Sequence, residues 1–298
     1  MIEWYYLVVA SSILLGVGAI VEKNTLKVEH ATQFSAAFSW IILAISIVFL
    51  LPYTNFAITP FNLLLMFVAG LFGSASYLIS ARVFKHGNLS AISPVSTSLP
   101  IFFLVVLAFF ILNEKLSVLE YVSIVGIIIA TYLIIFRTSG GKKHLQQFDS
   151  NKYKYFLIVN SLGTGVSMLI TKYLLVNNNP FAFLIVLEFF MAINFTVYIS
   201  RKYNGVKEIV STIYQYKFPI IAVALLTLGY RITYYLAISD PSVPVSVAFP
   251  LRNALYVIIT VLAGGELFKE QGLKQKLLLS IIMAIFGFIL AVSAGAIG

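Results

Sequence analysis

The stretch PVSTSLP at residues 94–100 returns as PVSVAFP at residues 244–250, which lies 150 residues further along the chain. Each copy leads into an apolar run that ends near a glutamate, Glu114 in the first copy and Glu266 in the second. Features that recur at a fixed spacing and in one order indicate an internal duplication. The chain is therefore predicted to consist of two related halves.

A second pair of matching positions lies near the start of each half. A glycine is followed seven residues later by a lysine, as Gly16 with Lys23 and again as Gly165 with Lys172. The halves are predicted as residues 1–148 and 149–298.

The composition excludes a soluble fold. Of 298 residues, 60% are hydrophobic and 10% are charged, and the mean hydropathy is +0.97. Soluble domains carry about 25% charged residues, so this chain cannot cover itself with polar surface. The net charge of +9 does not indicate nucleic-acid binding, because most Lys and Arg residues lie in short connectors between apolar runs. The chain is predicted to be an integral membrane protein.

Ten apolar runs satisfy the requirement of about 20 residues for a helix that crosses the hydrocarbon core. The predicted spans are 4–21, 34–51, 61–81, 91–112, 118–136, 154–175, 180–199, 218–238, 243–263 and 275–296. The predicted fold class is an all-α integral membrane protein with ten transmembrane helices.

The odd number of spans in each half has a topological consequence. After five spans the second half enters the membrane from the opposite side, so the two five-helix repeats are predicted to be inverted. Inverted repeats are typical of secondary transporters, whose site lies near the midplane where the repeats meet. Connectors after odd-numbered spans hold sixteen Lys and Arg residues, against two after even-numbered spans and at the termini, which places both termini outside.

Motifs of enzymes and pumps are missing from the sequence. There is no cysteine, no metalloprotease HExxH, no phosphate-binding Gly-Lys-Ser/Thr loop and no GxSxG elbow. The histidines, His30, His86 and His144, fall in connectors. We expect neither an enzyme nor a bound cofactor or metal, and we expect energy to come from a proton or ion gradient.

Three charged residues fall inside predicted spans, namely Glu188, Arg231 and Arg252, and all belong to the second half. Charges at membrane depth cost a few kcal/mol, so each requires a partner or a wet cavity. One interpretation has Arg252 or Arg231 hold a carboxylate or phosphate, with Glu188 as counter-ion or proton carrier. The alternative is that Glu188 forms a buried ion pair with one of the arginines, and that this pair has a structural role only.

Further polar residues of the spans complete the candidate substrate site. They are Asn253, Tyr234, Tyr256, Ser96 and Ser246. The tyrosines offer apolar walls with a hydroxyl, although lipid-facing positions are also common for them. The serines can bind substrate or satisfy carbonyls that the neighbouring prolines leave free.

The charged residues at span ends are expected to be structural. Glu114 and Glu266 are predicted to cap or pair near a helix terminus. Lys23 and Lys172 are predicted to extend along their helices so that the ammonium reaches the interface.

These ordered motifs resemble the drug/metabolite transporter superfamily, in its EamA-type ten-helix branch. The similarity lies in the Gly-Lys pairs of the first helices, in residues 87–94, and in the proline-to-glutamate spacing of the fourth helices, Pro100 with Glu114 and Pro250 with Glu266. The family's usual Trp before the glycine is replaced by Leu15 and Thr164.

The resemblance implies a multi-pass cell-membrane transporter of a small organic metabolite, of amino-acid or organic-anion type, without its own ATPase. The third, fourth, eighth and ninth spans are expected to line its cavity. Two alternatives remain at this point. A non-transporting scaffold or receptor would have a closed, dry interior, and an intramembrane lipid-acting enzyme would need a cluster of catalytic residues at one interface.

Overall fold

A computed structural model gives the architecture of the chain and describes residues 3–26, 30–86, 89–137, 151–202, 205–270 and 272–293. These residues form ten α-helices and one short 3-10 turn, without a strand among them. In chain order the helices are α1 Trp4–Leu26, α2 Ala31–Leu50, α3 Pro60–His86, α4 Leu89–Ile111, α5 Val118–Arg137, α6 Asn151–Asn177, α7 Pro180–Lys202, α8 Val206–Ser239, α9 Val245–Glu266 and α10 Leu273–Ser293.

Eight of these helices are long and apolar enough to cross a membrane by length and composition. The remaining two, α4 and α5, contain the shorter apolar stretches Leu99–Ile111 and Val118–Ile134 in the described part of the chain. In lipid a helix satisfies nearly all of its backbone polar groups internally, which is why apolar runs of this length adopt this one form. The prediction of an all-α membrane protein is confirmed.

Several helices extend beyond their predicted spans, α1 and α8 among them. Helix α1 continues to Leu26, five residues past the predicted end, so that Glu22 and Lys23 are part of it. Residues 200–217 were predicted to be a connector, but helix α8 already begins at Val206. The mixture of polar and apolar residues there is too polar to cross a membrane, yet it is compatible with a helix at the surface.

Helix α8 bends where the chain enters its apolar part. Tyr216 leaves helical geometry, with φ −121° and ψ 27°, three residues before Pro219. A proline inside a helix lacks the amide that would pair with the carbonyl four residues earlier, here that of Gln215, and its ring pushes that turn open. The bend separates the surface part of α8 from its long apolar part.

The most extensive packing joins helices of the first half to helices of the second. Helix α1 packs against α8 and α9, and in the same way α6 packs against α3 and α4. Contacts of α2 with α8 have their counterpart in contacts of α7 with α3. Helices α2, α4 and α5 each pack against the helix five positions later, which is α7, α9 and α10 respectively. The core therefore lies between the halves.

Close approach of these helices depends on glycine at matching positions. A Cβ atom at Gly16 of α1 would lie 2.6 Å from the Ile259 side chain of α9. A Cβ atom at Gly165 of α6 would lie 3.1 Å from Cβ of Phe103 in α4. The glycines thus act in helix packing, where small residues let backbones come together.

The first turn of α9 is capped by a carboxylate from the other half of the chain. Glu114, three residues after the end of α4, accepts hydrogen bonds from the backbone amides of Val245 at 3.0 Å and Ser246 at 3.1 Å. The Ser246 hydroxyl also donates to Glu114. A helix start has four amides without helical partners and the positive end of the dipole, so a carboxylate there satisfies both.

The first turn of α4 is capped in the same manner by Glu270, which follows α9. Its carboxylate accepts from the amides of Leu89 at 2.7 Å and Ser90 at 3.0 Å, and from the Ser90 hydroxyl. Lys276 donates to the same hydroxyl oxygen at 2.6 Å. Because each of the two helices ends where the other begins, α4 and α9 run antiparallel.

The two caps match each other at a spacing that differs from that of the sequence motifs. Ser90 corresponds to Ser246 and Glu114 to Glu270, which is a spacing of 156 residues and not 150. The predicted partner, Glu266, is exposed at the end of α9. The sequence match paired Glu114 with Glu266 because it aligned the prolines at a spacing of 150 residues. The prolines of each copy are six residues apart, so a register shifted by six residues also aligns Pro94 with Pro250. Asn113 and Lys269, immediately before the capping glutamates, share a left-handed conformation with φ of 55° and 54°.

Lys172 does not extend to the interface as predicted. It is only 5% exposed, and its ammonium donates to the carbonyls of Ile238 at 2.9 Å, Asp240 at 2.7 Å and Val243 at 2.9 Å. These carbonyls belong to the end of α8 and to the turn before α9, where no further helical amides are available. Lys172 therefore holds the α8–α9 connection. Lys23 is buried as well.

The caps can be tested by truncation. Glu114→Ala and Glu270→Ala should each lower the free energy of unfolding by about 2 kcal/mol, because two amides lose a charged acceptor. Tryptophan fluorescence during unfolding in detergent measures the effect. The matched control is Glu266→Ala, which should change little; an equal loss in the control would contradict the capping role.

Candidate functional site

Two charged side chains predicted from the sequence form an ion pair in the core. Arg231 of α8 and Glu188 of α7 are bonded through Nη1 and Oε1. Glu188 is fully buried and Arg231 is 7% exposed. Arg231 also donates through Nε to the Tyr230 hydroxyl at 3.4 Å. The charge of Arg231 is thus neutralised within the protein.

Arg252 of α9 has a different environment. It is 7% exposed, and its guanidinium lies over the rings of Tyr234 at 4.1 Å and Phe249 at 4.9 Å. Among the described residues no carboxylate forms an ion pair with Arg252. The ion pair that the described residues do form joins Glu188 and Arg231. Cation–π contacts stabilise a desolvated guanidinium by about 2 kcal/mol, which does not neutralise the charge.

Four buried polar atoms without a hydrogen-bond partner belong to the predicted site residues. They are Glu188 Oε2, Tyr234 Oη, Arg252 Nε and Asn253 Nδ2. Each such atom costs roughly 1–3 kcal/mol when it is left unsatisfied. Hydrogen-bond donors and acceptors are therefore both available to a polar ligand in the core between α7, α8 and α9.

The first half also contributes a charge, although it does not lie inside a predicted span. Glu22 lies in α1, beyond the predicted end of the first span, and its carboxyl is adjacent to the Tyr77 hydroxyl of α3. It interacts electrostatically with Tyr230 of α8 and Tyr256 of α9. Those two tyrosines also interact with Arg252, so all belong to one polar cluster.

The remaining predicted site residues lie in different places. Tyr256 belongs to the cluster, and its hydroxyl lies 3.2 Å from the Ser93 hydroxyl of α4. Ser246 is engaged by Glu114, about 9 Å along the axis of α9 from Arg252 at 1.5 Å per residue. The side chain of Ser96 lies outside the described part of the structure. The cluster thus draws on α1, α3, α4, α7, α8 and α9, a wider set than the predicted four helices.

The comparison with known families agrees with this architecture. The sequence model of the EamA-like transporter family matches residues 2–136. This match agrees with the resemblance to the drug/metabolite transporter superfamily over these residues. Together with the long apolar helices it indicates a multi-pass membrane protein.

Comparison with solved structures supports the fold of the whole chain. One crystal structure is similar with a TM-score of 0.64 over 95% of this chain and 98% of that one, at 14% sequence identity. At this identity the similarity concerns the fold alone. No curated protein sequence is significantly similar to the chain.

Sequence reasoning missed the residues that only tertiary contacts make significant. Glu22 was missed because the predicted first span ended at residue 21. Tyr77 had no signal that separates it from a lipid-facing tyrosine. A search for helix stop signals could have found Glu22, because no glycine or proline lies between Gly18 and this residue.

The ion pair gives a test of the buried charges. Glu188→Gln should lower the free energy of unfolding by roughly 3–5 kcal/mol, because it leaves the Arg231 charge buried without a partner. The double variant Glu188→Gln with Arg231→Met should recover much of that loss. Unfolding of the single and double variants in detergent measures the coupling, and strictly additive losses would contradict the pairing.

Proposed function

We propose that the protein is a secondary transporter that moves a small organic metabolite with an anionic group across the cell membrane by alternating access. The observation that carries the proposal is the Arg252 guanidinium, which is buried and has no carboxylate partner in the part of the chain that the structure describes. An uncompensated charge in the core of a membrane protein marks a substrate or ion pathway more often than a structural element.

The two arginines are distinguished by their partners. Arg231 is neutralised by Glu188 and has no need of a further anion. The planar guanidinium of Arg252 is available to a carboxylate or phosphate, which a guanidinium binds with two parallel hydrogen bonds. Its contact with the Tyr234 ring orients that guanidinium. Asn253 and the Tyr234 hydroxyl supply adjacent polar atoms for the rest of the ligand.

Alternating access follows from the arrangement proposed for the halves. We infer two inverted five-helix repeats, residues 1–148 and 149–298. Support comes from packing that recurs five helices later and from the antiparallel pair α4 and α9 with matching caps. Two inverted copies of one unit can close on either side at similar energy, which gives two states for a ligand or gradient to bias.

Counterflow in liposomes tests the function. Purified protein is reconstituted and loaded with each member of a panel of amino acids, dicarboxylates and sugar phosphates, and entry of the labelled compound is followed. We expect counterflow for a member with an anionic group. Absence of counterflow for the whole panel under any imposed gradient would count against transport of this class.

The role of Arg252 is tested in the same assay. Arg252→Ala should reduce counterflow at least about tenfold, because a charge-assisted pair with the anion is worth 1.5–3 kcal/mol, while the protein remains monodisperse in detergent. Arg252→Lys keeps the charge without the planar guanidinium and should retain a fraction of the activity. The control is Arg201→Ala, at the exposed end of α7. Unchanged transport in Arg252→Ala would remove this residue from the site.

A further inference from the structure

The two capped helix starts lie at opposite ends of the antiparallel pair α4 and α9, and each joins the first half of the chain to the second. Helix α4 follows the third span, and its cap, Glu270, follows the ninth. Both connectors belong to the set rich in lysine and arginine, so we call this contact the basic-face cap. The contact of Glu114 with the start of α9 is the opposite-face cap.

A buried lysine distinguishes the two caps. Lys276 of α10 is 1% exposed, and its ammonium donates to the Ser90 hydroxyl at 2.6 Å, which in turn donates to Glu270. The residue that follows Glu114 by the same six positions is Glu120, whose carboxylate accepts from a backbone amide just before its own helix, α5. In the described part of the chain no lysine or arginine donates to the opposite-face cap.

A glycine lets the start of α4 lie directly on α9 at the basic-face cap. Gly264 accepts a hydrogen bond from the Glu270 amide at 3.0 Å, as Ala108 does from the Glu114 amide at 3.2 Å, so the two positions correspond. A Cβ atom at Gly264 would lie 2.8 Å from Cβ of Ser90. Small residues of this kind favour close helix packing in membranes. The basic-face cap thus has both a lysine and a close helix contact.

The difference between the caps has a consequence for alternating access. A passage that opens at one face while the other stays closed requires the two halves to separate at one face at a time. Helices α4 and α9 come from different halves and remain in contact between the caps, where the Tyr256 hydroxyl lies 3.2 Å from that of Ser93. Separation at either face therefore has to break the cap at that face. The cap with the additional charge-assisted hydrogen bond is the harder one to break.

Resting on the proposed function, we propose that Lys276 sets the resting orientation of the transporter, because its bond to Ser90 keeps the basic face closed while the opposite face opens. The structure has both caps formed, and it corresponds to the closed state between the two openings. Lys276 does not touch the substrate and acts through the cap, so it is a positioning residue. Loss of its bond shifts the population toward opening at the basic face even without a ligand.

Reporter cysteines test the resting orientation, since the chain has no cysteine of its own. Ser93→Cys lies about one turn inside the basic-face cap, and Ala248→Cys lies about one turn inside the opposite-face cap. Both positions are fully buried while the two caps are formed. In purified protein in detergent, a water-soluble maleimide reaches each reporter only when its face opens. Without substrate, Ala248→Cys should react faster than Ser93→Cys, and the reverse order would overturn the proposal.

Lys276→Met, made in each reporter background, should move the two rates in opposite directions. The rate of Ser93→Cys should rise about tenfold, the size expected for loss of a hydrogen bond to a charged group, and the rate of Ala248→Cys should fall. Ser246→Ala weakens the opposite-face cap and should do the reverse. The matched control is Lys274→Met, at an exposed position two residues earlier, which should change neither rate.

The reciprocal response separates orientation from general stability. A protein that is merely less stable opens at both faces, so a rise of both rates in Lys276→Met would contradict the proposal. Ser90→Ala removes the acceptor of Lys276. In that background Lys276→Met should change the rates far less than it does in wild type, because the two residues act through one bond. Equal effects in both backgrounds would also contradict the proposal.

The outcomes for Lys276 and for the proposed function are distinguishable. If wild type shows counterflow and both reporter rates stay unchanged in Lys276→Met, the orientation role is wrong and transport stands. A reciprocal shift of the reporters without counterflow of any panel member would reject the proposed substrate class and support the role of Lys276. If neither reporter reacts in any variant and counterflow is absent, both proposals are wrong.

Discussion

The architecture depends on two carboxylates that cap helices outside their own half of the chain. A helix start in an apolar environment presents amides that water cannot satisfy, so each needs an acceptor from the protein. Glu114 supplies it for α9 and Glu270 supplies it for α4. Since each glutamate follows the helix that the other one caps, α4 and α9 are joined antiparallel at both ends. The remaining helices pack around this pair in reciprocal fashion.

This arrangement determines where the charged groups of the core meet. Helix α9 carries Arg252 about two turns from its capped start, next to Tyr234 of α8. Helix α1 packs against both α8 and α9, which brings Glu22 into the same polar cluster. Arg231 is neutralised by Glu188 from α7. Among the described residues no carboxylate pairs with Arg252, and the proposed preference for an anion rests on this difference between the two arginines.

The sequence predicted the membrane class and the helices well, and the site only in part. Long apolar runs have one stable form in lipid, so α2, α7, α9 and α10 begin within three residues of prediction. Arg231, Arg252 and Glu188 were recognisable because a charge within an apolar run is conspicuous. Glu22 and Glu270 were not, since they lie beside other charges near span ends, where a carboxylate is ordinary. Which carboxylate caps which helix depends on a contact between residues about 180 positions apart.

By itself, the sequence determined that the chain lies in a membrane, that it is helical, and that a pattern of glycine, lysine, proline and glutamate occurs twice. These properties follow from local periodicity and from the length that a bilayer requires. Only the tertiary structure decided which glutamate caps which helix, the burial of Lys172 among three carbonyls, and the different surroundings of the two arginines. The physical reason is that an electrostatic partner is chosen by proximity in space, and proximity arises from helix packing that no local stretch of sequence contains.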